Sequence, residues 1–439
     1  MTISADFHSG FGGIRNGSDG KFFPLQHNNG VASFLAWAPH DKYAAVRFTK
    51  AGRWDVSWIE ALNPENGRWT TLVSSQQEAR DANFRPEGWL SDRELIYVKT
   101  ELTPRNDTNL WTVKVDPATG LPSGMPQRRT RWTDFDIWML SVNANASRLC
   151  FVRRREESNI YIGDIQAHGR RLTSPRQFTR GEAGNYPYAW TPDSRAVVFA
   201  SNRDGPFRIY KQDIEQDTAE LITHNPGSQN GPRMSPDGQW LLYWNWLPGD
   251  PRSRLMRTPL GGGANQAILS SEDTFPDISC SHTPGGGCIL VEMQGKSEIV
   301  SLIDPVKGRG PKIVEIMGDF TRNPAMSPDG QRIAFVLPGV VKNRIRIVDL
   351  NGAIESEITV PGAEYLASLD WSADGTDFFS EEIRPLVARL VHIQRDGAFQ
   401  VLWAQTAGVE VWGIPSPDGR HLATFRTRLS DNVWMVENP

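Results

Sequence analysis

Cysteine is scarce in this sequence, with three among 439 residues, Cys150, Cys280 and Cys288. An odd number at no metal-like spacing, each in or beside an expected strand, reads as buried free thiols rather than a disulfide framework or a zinc site. No apolar run of about 18 residues occurs, and no charged segment leads into a short apolar stretch of the export-signal kind. The expectation is a chain with no membrane segment, cytoplasmic by default. Neither sign of charge dominates, since 47 Lys and Arg face 51 Asp and Glu for a net of −4. That balance argues against a polyanion-binding surface, and no nucleic-acid partner is expected. The basic run "QRRTRW" at 127–132 reads as a solvated loop. Sustained helical periodicity is also missing, so helical fold classes drop out.

Glycine, proline and tryptophan are plentiful, at 39, 30 and 16 residues, and they recur in a pattern. Residues 234–246 read "MSPDGQWLLYWNW", 326–336 "MSPDGQRIAFV" and 415–425 "PSPDGRHLATF". In the shared tetrapeptide, proline presets φ for the first corner, aspartate bonds the backbone two residues on, and glycine accepts a positive φ. The apolar run that follows is rich in β-branched and aromatic residues and too short for a normal helix. Degraded copies extend the pattern: "WAPHDKYAAVRF" (37–48), "WLSDRELIYV" (89–98), "VNANASRLCFV" (142–152), "WTPDSRAVVFA" (190–200), "HTPGGGCILVEM" (282–293) and "WSADGTDFFSE" (371–381). Across nine copies the turn residue falls at Asp41, Asp92, Asn145, Asp193, Asp237, Gly285, Asp329, Asp374 and Asp418, a spacing of about 44 to 53 residues.

Each copy is followed by a second alternating run, such as "RIYKQDI" or "RIRIVDL", and often by a short fourth one such as "AELITH" (219–224). Four strands per period make a propeller blade, whose sheet is buried on both faces. The fold expected is all-β, a single large β-propeller of four-stranded blades over 21–439, with residues 1–20 as an N-terminal extension. The nine copies imply nine blades, with eight the commoner number. The strand "KFFPLQH" (21–27) would complete the C-terminal blade and so remove an open edge.

Residues able to carry chemistry are dispersed. The eight histidines form no His-x-His or His-x-x-x-His pair, and no Gly-x-Ser-x-Gly elbow exists. The "GGG" runs at 261–263 and 285–287 lie between strands rather than ahead of a helix, which excludes a phosphate loop. The pairs Glu156–Glu157 and Glu381–Glu382 read as solvated charge in or beside loops. Each turn aspartate is engaged in its own turn, and successive copies lie too far apart for one ion. No catalytic residue, cofactor or metal ligand is therefore assigned.

The units "SPDGQRIAFV…RIRIVDL" and "TPDSRAVVFASNRDGPFRIYKQDI" resemble TolB-like, WD-repeat-like propeller repeats, over about 22–439. More narrowly, "SNIYIGDI", "GPFRIYKQDI", "LMRTPLGGG" and "SPDGRHLA…NVWMVENP" resemble propeller regions downstream of bacterial serine/threonine kinase or winged-helix domains. The resemblance implies a sensor or interaction module. This chain shows no kinase lysine, His-Arg-Asp loop or helix-turn-helix, so neither catalysis nor DNA binding carries over. The reading is a non-catalytic scaffold that binds a protein, small molecule or saccharide, as part of a bacterial regulator. The alternative is a propeller enzyme, such as a polysaccharide lyase or lactonase-like hydrolase, with a metal in its channel. Because the SPDG turns are uniform, binding is expected on the opposite rim, in "RRREES" (153–158), "SNRDGPF" (201–207), "WNWLPGDPRS" (244–253) and "EEIRPLV" (381–387). Arg154, Arg203 and Trp246 have the arginine and aromatic character of binding anchors.

Overall fold

The computed structural model describes residues 13–437 except 16–21, 25, 28–29, 40–41, 51–52, 75–83, 102–106, 134, 144, 248–249, 251, 274–275, 296, 318–323, 338–342 and 407–409. These residues form strands and turns with no α-helix, in eight sheets of four to six strands plus one two-stranded ribbon. We letter the sheets in chain order. Sheet A holds Gln26–His27, Gly30–Trp37, Ala44–Lys50, Arg53–Asn63 and Arg68–Ser74. Sheet B holds Phe84–Ser91, Glu94–Thr100, Thr108–Lys114 and Gln127–Arg128. Sheet C is built on Asp136–Val142, Arg148–Gln166, His421–Glu437 and Gly413–Pro415. Sheets D to H follow as successive meanders that begin at Asn185, Ser228, Asp277, Ala325 and Tyr365.

Eight of the nine turn copies, all but the one at Asp41, which lies outside the described residues, join two consecutive strands that pair within a sheet. Two copies, at Asn145 and Asp418, share sheet C, so nine copies serve eight sheets. The run 21–27 supplies Phe22–Pro24, paired with Gly13–Arg15, and Gln26–His27, paired with Gly30–Val31. Its expected pairing with the C-terminal blade is not among the described pairs, and the strand beside His421–Glu437 in sheet C is Arg148–Gln166.

The chain divides into two compact units, one within residues 1–155, 248–251 and 429–439, the other within 156–247 and 252–428. The first holds sheets A and B and the near part of C. Ile59, Leu72, Phe84, Trp89 and Tyr97 pack A on B, and Ile96, Leu110, Ile137, Leu149 and Phe151 pack B on C. In the run 127–132, Gln127, Arg128, Arg129 and Arg131 are exposed, as expected of solvated charge, although Gln127–Arg128 is a short strand and Arg128 pairs with Glu101 at 2.7 Å and Arg129 with Glu94 at 2.6 Å.

In the second unit, the near-continuous apolar runs find their reason in burial on both faces. Along "AVVFA" of sheet D, Val197 and Phe199 join the core shared with sheet C, while Val198 and Ala200 join the core shared with sheet E. Along "LLYW" of sheet E, Leu241 and Tyr243 face D, and Leu242 and Trp244 face F. The same alternation continues through F, G and H, and Phe379 and Leu390 of H pack with Leu422 of C. A strand with two buried faces has no room for the polar alternation of a half-exposed sheet.

The turns behave as their chemistry dictates. Asp237 Oδ1 accepts from the Ser235 hydroxyl at 2.5 Å and from the Gln239 amide at 3.1 Å, and Ser235 Oγ accepts from the Trp240 amide at 2.9 Å. The arrangement recurs at Thr191/Asp193, Ser327/Asp329, Ser372/Asp374 and Ser416/Asp418. Gly238 has φ of 69°, where any side chain would also meet Pro192.

Two expectations need correction. Cys280 and Cys288 are not free thiols, because they face each other across the first two strands of sheet F and form a disulfide with Cα atoms 4.0 Å apart. The adjacent Ser281 amide bonds the Gly287 carbonyl, which places the cysteines at a non-hydrogen-bonded pair, where side chains approach most closely. Cys150 is free. Glu381 and Glu382 are not solvated either, since both are buried within Phe378–Arg384. Glu382 is neutralised by Arg384 at 2.7 Å, and Glu381 Oε1 accepts from the Val411 amide at 2.8 Å.

Candidate functional site

Where sheets C, D and E of the second unit meet, at the ends of the strands away from the SPDG turns, they enclose a cavity of about 440 Å³. Its walls are Tyr186, Tyr188, Phe207, Trp412 and Phe425, with Glu156, Asn230, Glu410 and Thr427 as the polar lining. Tyr186 and Tyr188 lie on the first strand of sheet D, where the pairing shifts register between Pro187 and Ala189, and both reach the Trp412 ring. Trp412 immediately precedes Gly413–Pro415, and the Val411 amide bond to Glu381 fixes that approach.

The aromatic lining is a connected set. The Trp412 ring stacks on Tyr186 at 6.0 Å between centroids, meets Tyr188 at 5.7 Å and packs edge-on to Phe425 at 4.3 Å. Its indole N–H donates to the Pro187 carbonyl at 2.9 Å, which locks the ring between the two tyrosines. The Tyr186 hydroxyl donates to Glu156 Oε1 at 2.9 Å and accepts from Ser158, whose hydroxyl lies 2.7 Å from that of Thr427. Burial, reinforced by Glu156, pushes the Tyr186 phenol above its ordinary pKa and keeps it a neutral donor.

Beside Tyr188 lies a charged group. The Arg233 guanidinium sits over the Tyr188 ring at 5.3 Å, donates to the Tyr188 carbonyl at 3.1 Å and comes within 3.8 Å of Asp277. Asp370 belongs to the same field. Burial raises its carboxyl to about 6, against the opposing pull of Arg233 and of the Trp371 amide, which bonds it at 2.9 Å. His282 is held below its ordinary value by burial and by Arg233. Among the described residues, no group of three or more His, Cys, Asp or Glu converges as a metal site requires.

The residues singled out from sequence are not brought together here. Arg154 lies in the first unit, in a bidentate pair with Asp431 at 2.8 and 2.7 Å and over the Trp138 ring at 4.3 Å. It is a strand residue, because "RRREES" falls inside the 19-residue strand Arg148–Gln166 rather than in a loop. Trp246 packs against the core between sheets E and F. Arg203 reaches Asn185, the neighbour of Tyr186, at 2.9 Å, and lies 4.8 Å from the Tyr210 ring. None of the three lines the cavity, although Glu156 and Phe207 come from two of the four stretches expected on the binding rim. Sequence reasoning missed Tyr186, Tyr188 and Trp412. The available signal was "NYPYAW" and "VEVWGIP", two copies with extra aromatics at the start of the first strand.

Comparison with known proteins agrees with the repeats. Residues 141–310 match the family model described as the TolB beta propeller domain. An uncharacterized protein of Agrobacterium fabrum is 27% identical over 177 residues, 37% of this chain and 58% of that protein. A TolB homolog of Chlorobium luteolum is 25% identical over 155 residues, 35% of this chain and 34% of that one. The matches thus span less than two thirds of either relative. The crystal structure of TolB from Acinetobacter baumannii superposes with a TM-score of 0.46 at 16% identity, over 86% of this chain and 82% of that one. Residues 141–310 are thus similar to the TolB beta propeller domain.

Proposed function

We propose that this chain is a non-catalytic binding module whose second unit is a ring of six four-stranded blades, C to H, and whose ligand or protein partner seats in the aromatic cavity between C, D and E. The observation that carries the reading is the Tyr186, Tyr188 and Trp412 wall, three large rings with one polar edge each, in which the Trp412 indole is held by the Pro187 carbonyl and the Tyr186 hydroxyl by the Glu156 side chain. Rigid aromatic surface that bonds through its edge is the usual anchor of recognition sites. Support for the ring comes from the packing of H on C through Leu390 and Leu422, after the chain of contacts from C to H. A sensor or interaction role within a bacterial regulator fits such a module.

Arg203 belongs to this proposal as a positioning residue, since it holds Asn185 beside Tyr186. The test is a small-molecule and peptide screen on the full chain by thermal shift, followed by calorimetry of the hits. Trp412→Ala and Tyr186→Ala are expected to abolish binding, and Arg203→Ala to weaken it. Arg154→Ala and Trp246→Ala, outside the cavity, are expected to leave affinity within twofold. Hits that bind equally to all five folded variants overturn the assignment, and turnover of a hit converts the module into an enzyme.

A further inference from the structure

In seven of the nine copies the connection between the second and third strands contains glycine or proline, as in "SNRDGPF" (201–207), "LPGDPR" (247–252) and "RPL" (384–386). The copies at Asn145 and Asp418 have neither there, reading "RRREES" (153–158) and "RTRLSDN" (426–432). Without a residue that breaks it, each runs on as one strand, Arg148–Gln166 and His421–Glu437, and the two pair antiparallel with each other. On its other edge, 158–166 carries Arg171–Leu172 and Arg176–Gln177. The stretch 429–437 has no described strand on its other edge, because Gly413–Pro415 pairs only with 422–424.

The ladder sets which groups that edge presents. The Ile165 amide bonds the Arg420 carbonyl, and the pairs Arg154–Asp431 and Arg148–Glu437 continue the same register. Even-numbered residues therefore bond 148–166, and odd-numbered ones turn their N–H and C=O the other way. Two contacts agree, since the Ser416 amide bonds the His421 carbonyl and the Thr427 amide donates to Gln405 Oε1 at 3.3 Å. From 429 onward the odd-numbered amides, centred on Val433, face no described strand. The edge is also unguarded. It holds no proline, glycine or lysine, and its two carboxylates are already engaged, Asp431 by Arg154 at 2.7 Å and Glu437 by Arg148 at 3.3 Å. Val433, Trp434 and Met435 are 78%, 48% and 54% exposed.

We propose that this edge joins two copies of the chain, 429–437 pairing with itself antiparallel about a two-fold axis at Val433. The inference does not rest on the reading of the cavity. In this register the whole stretch is used, Leu429 lies opposite Glu437, Asp431 opposite Met435 and Asn432 opposite Trp434, so no like charges meet. Moving the axis to Trp434 sets Asp431 against Glu437. Moving it to Asn432 calls on Thr427, whose amide Gln405 holds. The stretch is thus complementary to itself, as a two-fold interface requires. One strand pair is a small interface, so the dimer is expected to dissociate in the micromolar range.

The test is sedimentation velocity of the full chain from about 1 to 300 µM, with the sedimentation coefficient expected to move from the monomer toward the dimer value. Val433→Pro removes an amide on the free edge and leaves the bonds to 148–155 in place. Val433→Lys keeps the amide and sets two ammonium groups against each other at the axis. Both variants are expected to keep the parent urea midpoint and to stay monomeric at the highest concentration, whereas Val433→Thr dimerises within about threefold of the parent. A parent that is monomeric throughout overturns the inference, and so does a dimer that both Val433→Pro and Val433→Lys leave intact. A monomeric parent that takes up the extended peptide Lys-Thr-Val-Thr-Val-Thr-Lys, with binding lost in Val433→Pro, also overturns self-pairing and gives the edge to the strand of another protein.

Discussion

The indole N–H of Trp190 donates to the backbone carbonyl of Ile414 at 2.9 Å, across 224 residues of chain. Trp371 does the same to Ala325 at 3.0 Å, and in the first unit Trp89 does so to Ala36 at 3.2 Å. In each case the tryptophan stands three residues before the turn aspartate and ties its own strand to a strand of the neighbouring sheet. Replacing Trp190 by Phe removes the donor, leaves a carbonyl unpartnered in a buried place and shrinks the shared core. The expected loss is about 2 to 4 kcal/mol, read as a lower urea midpoint. An unchanged midpoint would show that the bond contributes nothing to holding sheets C and D together.

The turn hydroxyls give a second prediction. Ser235 both donates to Asp237 and accepts from the Trp240 amide, so Ser235→Ala breaks two bonds at a buried position, with an expected cost of about 1 to 2 kcal/mol in urea unfolding. At the equivalent turn the Thr191 hydroxyl is the main cause that holds the Asp193 carboxyl below its ordinary 3.8. Stability from a depressed carboxylate is full above the unfolded value and is lost as pH falls through the folded one, so this contribution disappears only below about pH 4. In Thr191→Val the Asp193 titration, followed by NMR, moves upward.

Asp370 works in the opposite sense. Its folded pKa of about 6 lies above the unfolded 3.8, so the folded state prefers the proton. The associated stability is complete below pH 3.8 and is lost as pH rises through about 6. Asp370→Asn keeps an oxygen for the Trp371 amide and removes the charge. At pH 7.5 the variant is expected to be more stable than the parent by up to about 3 kcal/mol, the two converging near pH 4. Equal stability at both pH values would contradict the burial of this carboxyl.

Reducing agent supplies a fourth measurement. The Cys280–Cys288 disulfide closes a loop of eight residues' separation, for which chain-entropy arguments give about 2 to 3 kcal/mol. Urea unfolding of the protein is expected to shift downward by that amount on reduction. Cys288→Ala reproduces the shift without reductant.

Much of the fold was legible because its signals are local. Pro236, Asp237 and Gly238 act within four residues, and "AVVFA" or "LLYW" announces two buried faces by composition alone. The disulfide was not legible. Its two cysteines flank a degraded turn, "SHTPGGG", and only the register that sets Cys280 opposite Cys288 makes them partners. The division into two units was hidden for a similar reason, since the long strand Arg148–Gln166 reads as one more copy of the repeat and shows no break in composition where the units part. The cavity was hidden by distance, because Tyr186 and Trp412 lie far apart in sequence and meet only when sheets C and D pack.

Sheet C is assembled from segments synthesised at very different times. Its strand at Glu156–Gln166 leaves the ribosome before any of sheets D to H, whereas Gly413–Pro415 and His421–Arg428 leave after all of them. Each of the five intervening sheets can form as its own hairpins emerge, since its strands are neighbours in sequence. Trp190 must wait for Ile414, and Tyr186 for Trp412, through the translation of more than 200 intervening residues. At the roughly 5 to 20 residues per second of synthesis, the nascent chain spends on the order of ten seconds or more with that side of sheet D uncovered. The cavity is therefore among the last features of the second unit to exist, and a chain stalled before residue 412 still lacks Trp412, Phe425 and Thr427 from its lining.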